Sequence, residues 1–184
     1  MPNVEHWQSG VVAPRANAIN TGVLPCPTHL LIRRHGLPRP KLTDRCQAPI
    51  DKFWRPKMVT ESVGPFKATG YKPFLAVLRE LHRAIRETEP SLYDVLGTAG
   101  VLCVRHVRGN PHIASNHCFG MAIDYTIGGR LDIRGDGFCQ RGLVRIYEIA
   151  KSIHSDLFWG CGYGTEDAMH LEASYRLCDR WGLI

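Results

Sequence analysis

The sequence predicts a single α+β domain behind an irregular arm. Three observations carry this. Two stretches, near 73–89 and 141–154, repeat apolar residues at helical spacing; one stretch, 119–127, alternates strictly; and the first third is proline-rich and aperiodic. At 184 residues two full cores would be cramped. Hydrophobic residues at 44% and charged residues at 22% exclude a mostly disordered chain. No apolar run approaches the roughly 18 residues of a membrane span.

Residues 1–65 read as an arm packed on the domain, and 66–184 as the domain itself. The arm holds most of the twelve prolines. Its segment 33–57 carries eight basic residues (Arg33, Arg34, Arg39, Lys41, Arg45, Lys52, Arg55, Lys57) against Asp44 and Asp51, which accounts for the whole net charge of +6. Such a segment attracts polyanions. It lacks a recognition helix, an RNP motif or a zinc finger, so nucleic acid is not the expected partner.

The first helix starts near Pro73, where proline suits the first turn, and stops before Pro90. Phe74, Leu75, Val77, Leu78, Leu81 and Ile85 form its apolar face. A short helix over 91–96 and a strand over 101–105 are expected next. In the alternating stretch, Phe119, Met121, Ile123, Tyr125 and Ile127 take one face. Gly120, Ala122, Asp124 and Thr126 take the other, so a lone carboxylate stands among small neighbours with room beside it. After the second helix, the glycine-rich 159–164 leads into a last strand, AMHLE. There Ala168, His170 and Glu172 share a face.

The seven cysteines include no CxxC pair, so neither a zinc ribbon nor a thioredoxin motif is supported. Most are read as reduced, buried small hydrophobes, with disulfides open to a chain that works outside a cell. The first ten residues have no basic or apolar leader region, which points to synthesis in the cytoplasm without a Sec signal.

His117, Asp124 and His170 stand out as metal ligands. Two imidazoles and one carboxylate suit a catalytic zinc that keeps its fourth position for water. Asp167, three residues before His170, is placed to act on that water as a general base, and Glu172 to support His170 from behind. Singly, each is a common structural residue. The spacing His-x6-Asp followed by Asp-x2-His unites them.

The run SNHCFGMAID (115–124) resembles the S-x-H-x-x-G-x-A-x-D motif of zinc peptidases that cut bacterial cell-wall peptides. EDAMHLE (166–172) resembles the family's second motif. The family includes D-alanyl-D-alanine carboxypeptidases, D-Ala-D-Ala dipeptidases and phage L-alanyl-D-glutamate endopeptidases, and the resemblance spans roughly 65–175. It implies the small antiparallel sheet with flanking helices shared with hedgehog domains. It also implies Zn²⁺ held by His117, Asp124 and His170, with Asp167 as catalytic base and Glu166 as the alternative. Relatives carry an arginine upstream, often in a Tyr-Arg-Ser context. Here the context is CVRHVRG, and Arg105 comes before Arg108 as the choice. Ser115 either lines the site or braces its loop.

The implied activity is zinc-dependent hydrolysis of the peptidoglycan stem peptide. Asp at 167 resembles the endopeptidase version of the motif, which puts L-Ala–D-Glu ahead of a D-Ala–D-Ala carboxypeptidase reaction. The implied setting is an endolysin or similar enzyme reaching the wall through a holin or a secretion system. Residues 33–57 would then bind anionic cell-wall polymers. The reading from another class is a non-catalytic, zinc-containing wall-binding module.

Overall fold

The computed structural model describes residues 3–107 and 110–184. Four antiparallel strands form the central sheet, in the spatial order Leu96–Gly100, Ala122–Ile127, His170–Ala173, Leu157–Trp159. Three two-stranded ribbons and several helices surround it. The α+β class with small antiparallel sheets is as the sequence predicts.

The first long helix is Lys72–Thr88, with Pro73 in its first turn, where a missing N–H leaves no bond unmade. Phe74, Leu75, Leu78, Leu81 and Ile85 are completely buried along one face. The second long helix, Arg141–Ile153, packs on the first and on the strand Ala122–Ile127. Ile123, Tyr125 and Ile127 of that strand are buried, as its alternation requires. The core therefore lies between helices and sheet, and Asp124, only partly buried, points the other way into a cleft.

One polar group crosses this core. His82, midway along the first long helix, is fully buried. Its Nδ1–H donates to the Val63 carbonyl at 2.5 Å, and its Nε2 accepts from the Tyr125 hydroxyl at 2.9 Å. Burial lowers its pKa from 6.5 to about 4, despite the opposing bond to Val63. The folded protein thus resists a proton that the unfolded chain accepts. Stability should be full above pH 6.5 and decline as pH falls from 6.5 towards about 4, by on the order of 3 kcal/mol. Denaturant titrations at pH 7 and pH 4.5 measure this, and His82→Gln should flatten the difference. An equal slope in both proteins would contradict it.

Three expectations need correction. The strand before the motif is Leu96–Gly100, not 101–105. Its glycines made it look like a helix stop and a turn. Gly97 is needed because a Cβ there would sit 2.5 Å from Thr126 Oγ1 on the neighbouring strand. Phe119 is not in the strand but closes the 3₁₀ turn Asn116–Phe119, although it is buried as expected. The arm is less irregular than its prolines suggest. It holds helices Val4–Gln8 and Thr28–His35, and the strand Met58–Ser62 pairs with Lys67–Tyr71. Trp7, Leu31 and Trp54 of the arm belong to the same core as the helices. Trp54 is fully buried against Phe119, ring centroids 4.9 Å apart, and its indole N–H donates to the Gly36 carbonyl.

Among the cysteines, Cys46 and Cys103 form a disulfide with Cα atoms 4.8 Å apart. It ties the arm to the chain just ahead of the His117 motif. Cys26, Cys118, Cys139, Cys161 and Cys178 are free and buried.

Candidate metal centre

The first motif owes its shape to three small residues. Ser115 caps the 3₁₀ turn, its Oγ accepting from the His117 N–H at 3.3 Å. Gly120 ends the turn in the left-handed region at φ +62°. A side chain there would also meet the Tyr71 nitrogen at 2.7 Å and Gly70 Cα at 2.9 Å, so only glycine serves. Ala122 lies across the sheet from Glu172, and its small side chain leaves that carboxylate room.

The second motif meets the first through strand register. His170 pairs directly with Asp124 in the antiparallel ladder, which brings their side chains to one face, roughly 5 Å apart at Cβ. His117 reaches the same point from the turn. Its Nε2 lies 3.2 Å from Asp124 Oδ1 and 3.3 Å from His170 Nδ1, and His170 Nδ1 lies 3.0 Å from Asp124 Oδ1. These three donor groups can hold a metal ion.

Both imidazoles are aimed by their other nitrogen. His117 Nδ1–H donates to the Val101 carbonyl at 3.0 Å, which leaves Nε2 as the free donor. His170 Nε2–H donates to Glu172 Oε2 at 3.0 Å, which leaves Nδ1. Glu172 is completely buried, and its oxygens also accept from the Cys26 N–H at 3.0 Å and from the Asn116 amide. A carboxylate behind a ligating histidine sets its tautomer and orientation. Glu172→Gln should therefore weaken metal binding by about 10–100-fold, measured by competition with a chromophoric chelator. Unchanged affinity would remove Glu172 from this role.

The charges of the cluster are interdependent. Burial favours a neutral Asp124, but its bonds to His117 and His170 outweigh this and hold the carboxyl well below the usual carboxylate range. Burial likewise opposes charge on His170, yet the bonds to Asp124 and Glu172 push its pKa up to about 10. A metal ion must displace that proton, so binding releases protons.

Asp167 shares the cleft, which has a volume of about 630 Å³ and is also lined by Ser115, Arg105 and Arg134. Burial raises the Asp167 pKa; His170 opposes this, Asp124 adds to it, and Arg134 and His117 oppose it, leaving the carboxyl raised. Such a group suits general-base work. Glu166 is turned elsewhere. Its Oε1 accepts from the Gly137 N–H at 3.2 Å, in the loop that follows the site strand.

Arg105 lines the cleft, with its Nη1 donating to the His106 carbonyl at 2.9 Å. Its backbone carbonyl accepts from the Ser115 N–H at 3.1 Å, so it is anchored to the motif. The alternative, Arg108, lies outside the described residues. Sequence reasoning missed Arg134, whose Nε lies 3.5 Å from Asp167 Oδ2. It sits in an RGDG turn, and no spacing ties it to either motif. Asn116 was missed as well, although its place inside the SNH run was a signal. No family model, curated protein or solved structure matches this chain.

Proposed function

We propose that this chain is a zinc-dependent peptidase acting on the stem peptide of peptidoglycan, with the L-Ala–D-Glu bond as its target, and that its fold is that of hedgehog domains and D-Ala-D-Ala peptidases. One observation carries the reading. Two motifs separated by more than 40 residues converge so that a three-donor metal site and a raised carboxyl share one cleft. Zinc fits the donors. A tetrahedral ion with bonds of about 2.0–2.1 Å wants donors roughly 3.3 Å apart, and these stand 3.0–3.3 Å apart.

Bound there by His117, Asp124 and His170, zinc supplies Lewis acidity to a water and to an amide carbonyl. Asp167 takes the proton of the attacking water and hands it to the leaving amine. Arg134 holds Asp167 in place, and Arg105 faces the substrate with donors suited to a carboxylate or an oxyanion. A site that only stored zinc would have no use for Asp167.

Two arginines in the cleft also favour a second reading, a carboxypeptidase that grips a terminal carboxylate. Mass spectrometry of muropeptides separates the two. Glycan strands left with a single alanine, and released peptides beginning at D-Glu, support the endopeptidase. Free D-Ala with otherwise intact stems replaces it by the carboxypeptidase. Unaltered muropeptides after digestion with zinc-loaded protein contradict both.

The arm fits a wall-bound enzyme. Arg33, Arg34, Lys41, Arg45, Lys52 and Arg55 are exposed, and among the described residues none of them pairs with an acid. The Cys46–Cys103 bond holds this segment at the rim of the cleft. Binding to anionic wall polymer should fall as salt rises and the Debye length shrinks to about 8 Å at physiological ionic strength. Cleavage of a small soluble peptide should fall less. Equal losses in co-sedimentation and in peptide assays would argue against an anchoring arm.

A further inference from the structure

Behind the metal centre, two thiols lie in contact. Cys26 Sγ and Cys178 Sγ are 3.6 Å apart, and both residues are buried. Cys26 belongs to the arm, and Cys178 to the C-terminal helix Tyr175–Arg180. The backbones around them are already joined, because the Tyr175 N–H donates to the Leu24 carbonyl at 3.0 Å. The Cys26 N–H in turn donates to Glu172, which orients His170. We propose that Cys26 and Cys178 are a site of oxidative cross-linking, and that the disulfide braces the Glu172–His170 bond and so tightens metal binding.

The geometry needs little change. The sulfurs, already in contact at 3.6 Å, must close to about 2.05 Å. Access is one-sided. Cys26 lines the cleft, whereas Cys178 is completely buried. A small disulfide such as oxidised glutathione therefore meets Cys26 first. The Cys26 thiol gives up its proton and attacks one glutathione sulfur, a mixed disulfide forms, and the glutathione thiolate that leaves takes up that proton. The Cys178 thiol then loses its proton and attacks Cys26 Sγ, expelling the second. Two protein thiols are oxidised and one glutathione disulfide is reduced to two thiols. The bond closes a span of 152 residues, most of the chain, so the unfolded state loses much of its freedom.

This inference rests on the metal centre and not on the peptidase reading, and its readouts need no substrate. Folded protein is equilibrated with oxidised glutathione, alkylated, and digested with trypsin without reduction. A linked pair of peptides 16–33 and 177–180 is expected. The thermal midpoint should rise by roughly 10 °C over a Cys178→Ser variant, which keeps the Cys46–Cys103 bond. Zn²⁺ affinity, measured with a competing chelator, should be several-fold higher in the cross-linked protein. Wild-type protein compared before and after glutathione treatment gives the same contrast if the variant folds poorly. Absence of the linked peptides, or equal Zn²⁺ affinity with and without the link, would overturn the proposal.

Discussion

Replacing His170 by alanine should abolish metal binding and peptide hydrolysis together. Its side chain links the ligand Asp124 to the buried Glu172. Its Nδ1 faces Asp124 and its Nε2 faces Glu172, with the ring almost wholly buried between them. Removing it deletes a ligand and strips a donor from a completely buried carboxylate. Breaking a buried charged pair costs about 3–5 kcal/mol, so the variant should also lose stability. His117→Ala separates the two effects. His117 contacts Asp124 and the Val101 carbonyl but not Glu172, so this variant should lose metal and activity while staying closer to native stability. Elemental analysis, peptide assay and denaturant titration on both variants check this. Either variant retaining a full equivalent of tightly bound metal would contradict the ligand assignment.

Asp167→Asn should leave metal and fold intact and lower turnover by about 10²–10⁴-fold. The amide keeps the shape of the carboxyl but cannot take a proton. Among the described residues neither the imidazoles nor Asp124 hydrogen-bonds to the Asp167 side chain, whose ion-pair partner is Arg134. The centre should therefore assemble normally. Glu166→Gln is the matched control. Its carboxylate accepts from the Gly137 N–H and its backbone carbonyl from the Gly135 N–H, away from the cleft, so its turnover should stay near wild type. Rates measured with zinc-saturated proteins decide the matter. A dead Glu166→Gln beside an active Asp167→Asn would reverse the assignment.

The centre was legible because its chemistry sits in two short runs, and strand parity alone places Asp124 among the small residues of its own strand and His170 with Glu172 on one face of theirs. What parity cannot supply is register. That His170 pairs with Asp124, and not with a neighbour two residues away, is fixed by contacts between distant strands. The arm was hard to read for a similar reason. Leu31 and Trp54 lie in short apolar runs, Leu30–Ile32 and Phe53–Trp54, within a basic, proline-rich arm, and nothing local says that both are fully buried. Their burial depends on a core assembled from the other end of the chain. The strand Leu96–Gly100 carries no alternation, because Gly97 answers the close approach of Thr126 and Gly100 a backbone turned to φ +137°. Arg134 reaches Asp167 from a turn in a separate loop, a pairing that only the folded chain creates.

The measurement that bears most directly on the account is a metal titration followed by peptide cleavage. Protein stripped with a chelator is returned to activity by stepwise addition of Zn²⁺, with a soluble stem peptide as substrate. Cleavage should be absent without metal and should rise to a plateau at one equivalent per chain, in parallel with bound zinc. Full cleavage by the metal-free protein, or none at any zinc level, would contradict a hydrolytic centre built on His117, Asp124 and His170.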